Sequence, residues 1–360
     1  MNKEEISDKR QQNVFKGITF SKYKKSAVKK ELLNNLSKGK VEPACYWSAE
    51  YICAGHFADL WEIILLFASK NIHLGNPSLP LYIEMRYAVF KEIVLNGYIG
   101  NELQMRNNPK IRRLFAEMIS ILCLSMKKHP YATVRIEKKE FQSTELTDRL
   151  KAPDISFAQQ VFTKDDPNEL FIAVNEFAYH VSETSRNASL ACYWIEWILE
   201  FEGMCRREKR RKYEGARRGF APVETKHQCD IVWLIWNVIL TEAIKKRNGS
   251  LKIIKALLSI FSIRFSPGVK RRRRFIMYFA VSLLTEKFDR KIQLYKSPEV
   301  IENIKSKIDI IYMQVKKNEE KPDTDYLFNN SIAGDGSNLK KTIAKLDRMN
   351  AIVGHIPRAN

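Results

Sequence analysis

Five consecutive cations, 270–274 (KRRRR), form the densest group of chemically active side chains in this 360-residue sequence. Ammonium groups bind phosphate, and guanidinium groups bind it bidentately. The apolar segment 275–284 follows and predicts a helix that begins beside the cations. Positive charge opposes a helix N-terminus, whereas an anion is stabilised there. We therefore predict the principal phosphate-contact site at Lys270, Arg271, Arg272, Arg273 and Arg274. The open alternative is a solvated nuclear-import signal.

Two further segments concentrate positive charge. The whole chain carries a net +20, of which 1–40 hold +7, 203–228 hold +6 and 264–274 hold +6. Such segments on a nearly neutral body create a field that attracts phosphates or acidic surfaces. The predicted phosphate contacts in the first segment are Lys22, Lys24, Lys25, Lys29 and Lys30. Those in the second are Arg206, Arg207, Arg210, Arg211, Lys212, Arg217 and Arg218, with Tyr213 as a base-stacking residue.

Residues suited to metal binding or catalysis are scattered. Cys53 and His56 are the nearest approach to a ligand pair, with Cys45 two helical turns earlier. A structural zinc site uses four nitrogen or sulfur ligands, and no second close pair follows, so we interpret these residues as structural. Asp165 and Asp166 could bind a metal, but Asp166 stands where a helix cap is expected. No phosphate-loop, dinucleotide-binding, zinc-protease or serine-hydrolase motif occurs. We predict no catalytic residue, metal or cofactor, and an enzyme with a dispersed site stays an open alternative.

Tryptophan pairs stand three residues apart at Trp194 and Trp197 and at Trp233 and Trp236. They lie in sequence rich in isoleucine and leucine, whereas base-stacking aromatics lie among exposed basic residues. We therefore predict that both pairs belong to the core.

Most of the chain shows apolar residues at three- and four-residue intervals, as in amphipathic helices. One such stripe covers 47–69. Three helix starts have a short polar residue before proline, at Asn108-Pro109, Asp166-Pro167 and Ser297-Pro298. Further helices are predicted at 188–212, 229–247, 250–264 and 272–290. The best strand candidate, 133–138, is too short for a sheet. The sequence predicts an all-α, multi-helical protein.

Changes in composition predict two helical lobes with flanking segments. We expect a basic arm (1–40), an N-terminal lobe (41–136), a linker (137–164), a C-terminal lobe (165–318) with the basic loop 203–228, and a flexible tail (319–360). Within the tail, Leu339, Ile343, Leu346 and Met349 keep helical spacing. This pattern predicts a short amphipathic helix, 339–349, that docks on a protein partner.

The cellular compartment is indicated by cysteine usage and hydropathy. Six cysteines are spread thinly, without a C-x-x-C pair, which fits a reducing compartment. The first twelve residues contain no apolar run, so no secretory signal is expected. The longest apolar stretches are about half of the roughly 20 residues that span a membrane. We expect an intracellular protein, in cytoplasm or nucleus, without transmembrane insertion.

Five runs carry a resemblance to a known group of proteins. They are WSAEYICAGH (47–56), IHLGNP (72–77), YWIEW (193–197), KNE (317–319) and DYLF (325–328). These runs resemble uncharacterised proteins encoded by large nucleocytoplasmic DNA viruses of algae and protists. The resemblance covers most of the chain apart from the basic arm. It implies a role in viral replication, transcription or particle assembly, in a viral factory or a virion, and it transfers no activity to individual residues.

The pattern favours a non-enzymatic, nucleic-acid-associated helical protein that contacts backbone phosphates without reading sequence. DNA and RNA both fit, in replication, transcription or genome packaging. The alternative is a structural protein of a virion or scaffold, whose basic segments bind acidic partners or a membrane surface.

Overall fold

A computed structural model describes residues 4–209, 213–246, 249–289, 291–295, 297–321 and 341–346 of the chain. Regular structure in these ranges is helical, which confirms the predicted all-α fold. The segment 133–138 is not a strand, and isolated bridges join Ile18 to Lys24 and Glu214 to Asp230. The α-helices are α1 (Lys25–Lys38), α2 (Val41–Cys53), α3 (Phe57–Phe67), α4 (Leu79–Leu95), α5 (Pro109–Leu124), α6 (Ser143–Thr147), α7 (Phe171–Val181), α8 (Ala188–Lys209), α9 (Val232–Lys246), α10 (Ser250–Phe261), α11 (Arg274–Thr285) and α12 (Pro298–Lys316).

The helices are distributed over two compact units. Unit 1 takes its described residues from Met1–Phe67, Met85–Lys127 and Gln293–Asn360, and unit 2 from Ala68–Glu84 and Lys128–Ile292. The predicted lobe boundaries are therefore wrong. Helix α12, expected in the C-terminal lobe, belongs to unit 1, and the expected linker 137–164 lies inside unit 2. The chain crosses between units in a way that sequence composition does not mark.

Unit 1 is organised around α2. This helix packs against α1, α5 and α12, and α12 also packs against α5. From Pro43 to Cys53 every residue of α2 is buried. A helix that is apolar on all sides needs neighbours on all sides, and the three surrounding helices supply them.

The predicted basic arm is an integral part of unit 1. Residues 25–38 form α1, whose apolar stripe of Val28, Leu32 and Leu36 is buried against α2. Before α1, Phe15 and Phe20 are fully buried. The sequence interpretation of this segment rested on its lysines. Its buried apolar residues fix its position in unit 1. The interpretation of 1–40 as a separable arm is corrected accordingly.

Unit 2 is organised around α11. Its residues 275–284 are all buried, and it packs against α8, α9 and α10. Helix α7 packs against α8 and α9. The predicted core tryptophans Trp194, Trp197, Trp233 and Trp236 are buried here, which confirms that prediction.

Several predicted helix boundaries shift for identifiable reasons. The single stripe over 47–69 is divided into α2 and α3 at Gly55, whose φ of 76° is left-handed. The Asn108 cap is confirmed, because its Oδ1 accepts hydrogen bonds from the backbone N–H of Lys110 (2.8 Å) and Ile111 (3.4 Å). Pro298 begins α12 as predicted, although the Ser297 side chain makes no capping bond. Asp166 does not cap α7, which begins at Phe171.

Candidate polyanion-contact surfaces

Lys270, the first cation of the run 270–274, is buried with only 3% of its surface exposed. It lies in the turn between α10 and α11. Its Nζ donates hydrogen bonds to a carboxylate oxygen of Glu202 on α8 (2.5 Å) and to both oxygens of Asp230 (2.9 and 3.0 Å). Burying a charge is unfavourable unless it is paired, and two carboxylates provide that pairing. The ammonium group does not lie on a surface that an external phosphate could reach.

Three of the four arginines that follow are also bonded inside unit 2. Arg273 is 5% exposed, and its Nη1 donates to the backbone carbonyls of Phe261 and Ile263, both at 2.6 Å. Arg274 Nη1 lies 2.9 Å from the buried Glu196 carboxylate. Arg271 is half-exposed, lies 2.7 Å from Glu200 and donates to the Leu199 carbonyl. The fourth, Arg272, is exposed and forms no ion pair with a described residue.

The anion expected beside this helix start is thus supplied from within the chain. Glu196, Glu200 and Glu202 lie on α8 and face the turn that leads into α11. Gly203, the next residue of α8, leaves room for the Arg271 guanidinium, which an added Cβ would clash with. Positive charge beside a helix N-terminus does require negative groups nearby. Carboxylates of unit 2 supply them to Lys270, Arg271 and Arg274. Arg273 is bonded to backbone carbonyls of the same unit.

Buried carboxylates around these cations have altered pKa values. Burial raises the pKa of Glu196 above its usual range, and Arg274 only partly offsets it. Burial likewise raises the pKa of Glu202, with Asp230 adding to the rise and Lys270 opposing it. The neighbouring cations Arg274 and Lys270 therefore favour the charged form of these carboxylates, against the larger effect of burial.

The basic loop 203–228 is anchored by a second buried ion pair. Arg218 Nη1 and Nη2 donate to the two carboxylate oxygens of Asp166 at 2.6 and 2.7 Å, and both side chains are buried. Burial raises the pKa of Asp166, but the hydrogen bonds from Arg218 and from backbone N–H groups prevail, and the pKa is lowered. Arg218 is therefore an anchor of the loop, and Asp166 is its partner instead of a helix cap.

Other predicted contacts of this loop differ in exposure. Arg206 and Arg207 are exposed on α8, and Arg206 pairs with Glu202 at 3.4 Å. Arg217 is exposed, and its Nε donates to Gln228. Tyr213, the predicted stacking residue, is half-buried, with its ring edge-on to Phe201. Arg210, Arg211 and Lys212 lie outside the described residues.

The first basic segment presents its lysines on the solvent side of α1. Lys24, Lys29, Lys30 and Lys38 are exposed and form no ion pair with a described residue. We call these four residues the α1 lysine face. Lys22 is exposed but lies 2.9 Å from Glu320, and the half-buried Lys25 lies 2.7 Å from Asp59. Glu31 is the one acidic residue of α1, and it is half-exposed. The four lysines of this face therefore present positive charge that pairs with no described carboxylate.

Other groups considered from sequence have structural contacts. His56 Nε2 lies within hydrogen-bonding distance of the Phe15 and Ile18 carbonyls. Cys53 is buried, and burial raises its thiol pKa. Of the predicted tail helix, 341–346 are described and helical, and Leu346 is buried in unit 1. This part contacts its own chain, while Leu339 and Met349 lie outside the described residues.

Comparisons with known proteins do not assign this chain to a family. Neither the family models, the curated proteins nor the solved structures contain a match. Within the described residues, no three His, Cys, Asp or Glu side chains are grouped as a metal would require. The described helices also include none of the length and hydropathy needed to span a membrane.

The acidic partners on α8 were missed in the sequence. A usable signal existed, because Glu196, Glu200 and Glu202 interrupt the aromatic and aliphatic sequence of a helix. A carboxylate on a buried face requires a cation or several hydrogen bonds. The three glutamates of α8 are thus a sequence signal that part of the run 270–274 forms internal ion pairs.

Proposed function

We propose that this is a non-enzymatic, nucleic-acid-associated protein that contacts backbone phosphates without reading sequence. The observation that supports this proposal most is the α1 lysine face. Four exposed ammonium groups without ion-pair partners among the described residues lie on one helix and its N-terminal residue. Exposed lysines of this kind bind a polyanion by releasing its counterions.

The exposed arginines of unit 2 add a second set of contacts. Arg206, Arg207, Arg217 and Arg272 keep solvent-exposed side chains, whereas the buried cations of the same segments hold the turn and the loop in place. The phosphate contacts we propose are therefore the α1 lysine face and these four arginines. The resemblance to proteins of large DNA viruses would place such a protein in viral replication, transcription or genome packaging.

The test replaces the α1 lysine face by glutamine, as Lys24→Gln, Lys29→Gln, Lys30→Gln and Lys38→Gln in one full-length chain. Binding of labelled DNA and RNA of arbitrary sequence is measured against salt concentration. We expect weaker binding and a shallower dependence of log K on log salt, by about 0.9 for each phosphate that the variant no longer neutralises.

A matched control removes the same charge from other exposed lysines that lack ion pairs with described residues, namely Lys91, Lys110, Lys252 and Lys255. If both variants bind with the same reduced affinity, binding follows net charge and not this surface. If unrelated nucleic acid fails to compete and anionic vesicles or acidic proteins bind instead, the alternative of a structural or assembly protein is favoured.

A further inference from the structure

A small cleft lies beside the α1 lysine face in unit 1. It is bounded by α1, α2 and residues 341–346, and its volume is about 230 Å³. Pockets for drug-sized ligands have about 300–1,000 Å³, so this cleft has room for one small ring system. Pro43, Trp47 and Leu346 form apolar walls, Asn34 and Asn35 form a polar wall, and Lys38 stands at the rim.

Two hydrogen-bonding groups of this cleft lack partners among the described residues. Asn35 is 6% exposed, and its Nδ2 donates to the Glu31 carbonyl at 2.8 Å, which fixes the orientation of the amide. Its Oδ1 then accepts no hydrogen bond from a described residue. Trp47 is buried as well, and its indole N–H donates to no described acceptor. Neither atom is among the fully buried unpaired atoms of the described residues, so both open into the cleft, where a polar ligand can bond to them.

The C-terminal segment completes the cleft. Thr342 Oγ1 and Tyr23 OH share a hydrogen bond of 2.9 Å, and Tyr23 packs edge-on against Trp47. Leu346, four residues further along, is buried. Lys341 and Lys345 of this segment remain exposed. The segment therefore encloses the cleft with apolar atoms and adds two cations to its surroundings.

We propose that the ligand of this surface is single-stranded nucleic acid, with one unpaired base in the cleft and the flanking phosphates on the α1 lysine face. The inference rests on the proposed function and specifies its ligand. Unpaired bases bind proteins by stacking on aromatic side chains and by hydrogen bonds along their edges. A base held in a duplex cannot enter such a cleft without leaving the stack.

The unpaired acceptor can bond to any of the common bases. Asn35 Oδ1 accepts a hydrogen bond from the exocyclic amino group of cytosine, adenine or guanine, and equally from the N3–H of thymine or uracil. The cleft therefore takes an unpaired base without reading its identity, in agreement with the proposed function.

The experiment measures binding of a mixed-sequence single strand and of the corresponding duplex to the full-length protein at one salt concentration. Asn35→Leu removes the acceptor, and we expect it to weaken single-strand binding roughly two- to tenfold, the value of one neutral hydrogen bond. Duplex binding should not change. An equal effect on both probes, or no effect on either, would overturn the base contact in the cleft.

A second variant does not depend on a buried residue. Asn34 is exposed at the cleft, so Asn34→Trp blocks the cleft from outside, and Ser26→Trp places the same side chain elsewhere on α1. We expect Asn34→Trp to weaken single-strand binding roughly two- to tenfold, the value of the hydrogen bond that it blocks. Duplex binding should not change, and Ser26→Trp should alter neither. Unchanged single-strand affinity in Asn34→Trp overturns the cleft as a base site. Absence of salt-dependent binding to every probe would instead overturn the proposed function itself.

Discussion

Lys270 Nζ lies 2.5 Å from the Glu202 carboxylate, and both side chains are almost completely buried. Asp230 approaches the same ammonium group at 2.9 Å. The three groups form a charge cluster that joins α8, the loop before α9 and the turn before α11. A lysine in this position stabilises the fold, whereas its sequence context of four arginines indicated a ligand site.

The first prediction concerns this cluster. Lys270→Met leaves Glu202 and Asp230 buried without their cation, and removal of one partner from a buried ion pair costs about 3–5 kcal/mol. We expect a loss of unfolding free energy of that order in urea denaturation. Lys226→Met serves as the control, because Lys226 is exposed and its ion pair with Glu224 lies in solvent, where such a pair contributes little to stability. Equal stability of the two variants would contradict the internal role of Lys270.

Substitution of two neighbouring arginines in the run 270–274 should change the unfolding free energy by very different amounts. Arg273→Gln loses the charged donor of two buried carbonyls, and we expect it to lower the unfolding free energy by about 1.5–3 kcal/mol. Arg272→Gln removes an exposed side chain and should stay within about 0.5 kcal/mol of the unsubstituted protein. Thermal denaturation of the two single variants measures the contrast. Both arginines stand in the phosphate-contact site that the sequence predicted, but only Arg273 is bonded to buried carbonyls.

Deletion of residues 1–40 should destabilise unit 1. The deletion removes Phe15, Phe20, Val28, Leu32 and Leu36, each worth about 1.5–3 kcal/mol when buried. Their sum is comparable to the about 5–15 kcal/mol that stabilises a whole domain. We expect a lower melting temperature or loss of cooperative unfolding. The glutamine variant of the α1 lysine face is the control, since it removes charge and keeps the apolar residues. A truncated chain that melts like the full-length protein would restore the interpretation as an arm.

The Asp166–Arg218 pair predicts a loss of stability in acid. The pKa of Asp166 is lowered in the folded protein, so the pair stabilises the fold above the unfolded-state value of about 3.9. This contribution disappears as pH falls through the folded-state pKa. The difference in unfolding free energy between the unsubstituted protein and Asp166→Asn should be constant near neutral pH and shrink below about pH 4. A difference that does not change in acid would contradict the assignment.

For Glu50 we expect the opposite dependence of stability on pH. It is fully buried, and its carboxylate accepts hydrogen bonds from the Ser21 N–H (3.0 Å) and hydroxyl group (2.5 Å). Burial raises the pKa of Glu50 in spite of these bonds. The folded protein therefore holds the proton more strongly than the unfolded chain. As pH rises from about 4.3 through the folded-state pKa, the protein should lose stability relative to Glu50→Gln. Urea denaturation across that range measures the loss, and a parallel course of the two curves would contradict it.

Local sequence determined the helices of this protein to a large extent. Apolar spacing identified α5, α8, α9, α10, α11 and α12 within a few residues, and Asn108 identified the start of α5 through its capping geometry. Both signals act within one or two helical turns. The burial of the tryptophan pairs was predicted from the same kind of local pattern, because both pairs are surrounded by isoleucine and leucine on their helices. The division at Gly55 shows the limit, since one left-handed residue redirects the chain without disturbing the apolar pattern.

Tertiary structure alone decided which cations are free. Lys270 and Arg272 are two residues apart in the same basic run, yet one is buried between two carboxylates and the other is exposed. The carboxylates that make this distinction lie 40 and 68 residues away from Lys270 along the chain. Composition and charge density count cations without their partners, whereas electrostatic pairing depends on distances of a few ångströms across the fold. For the same reason the tertiary structure, and not the charge density of the sequence, distinguishes the unpaired lysines of α1 from the paired cations of the run 270–274.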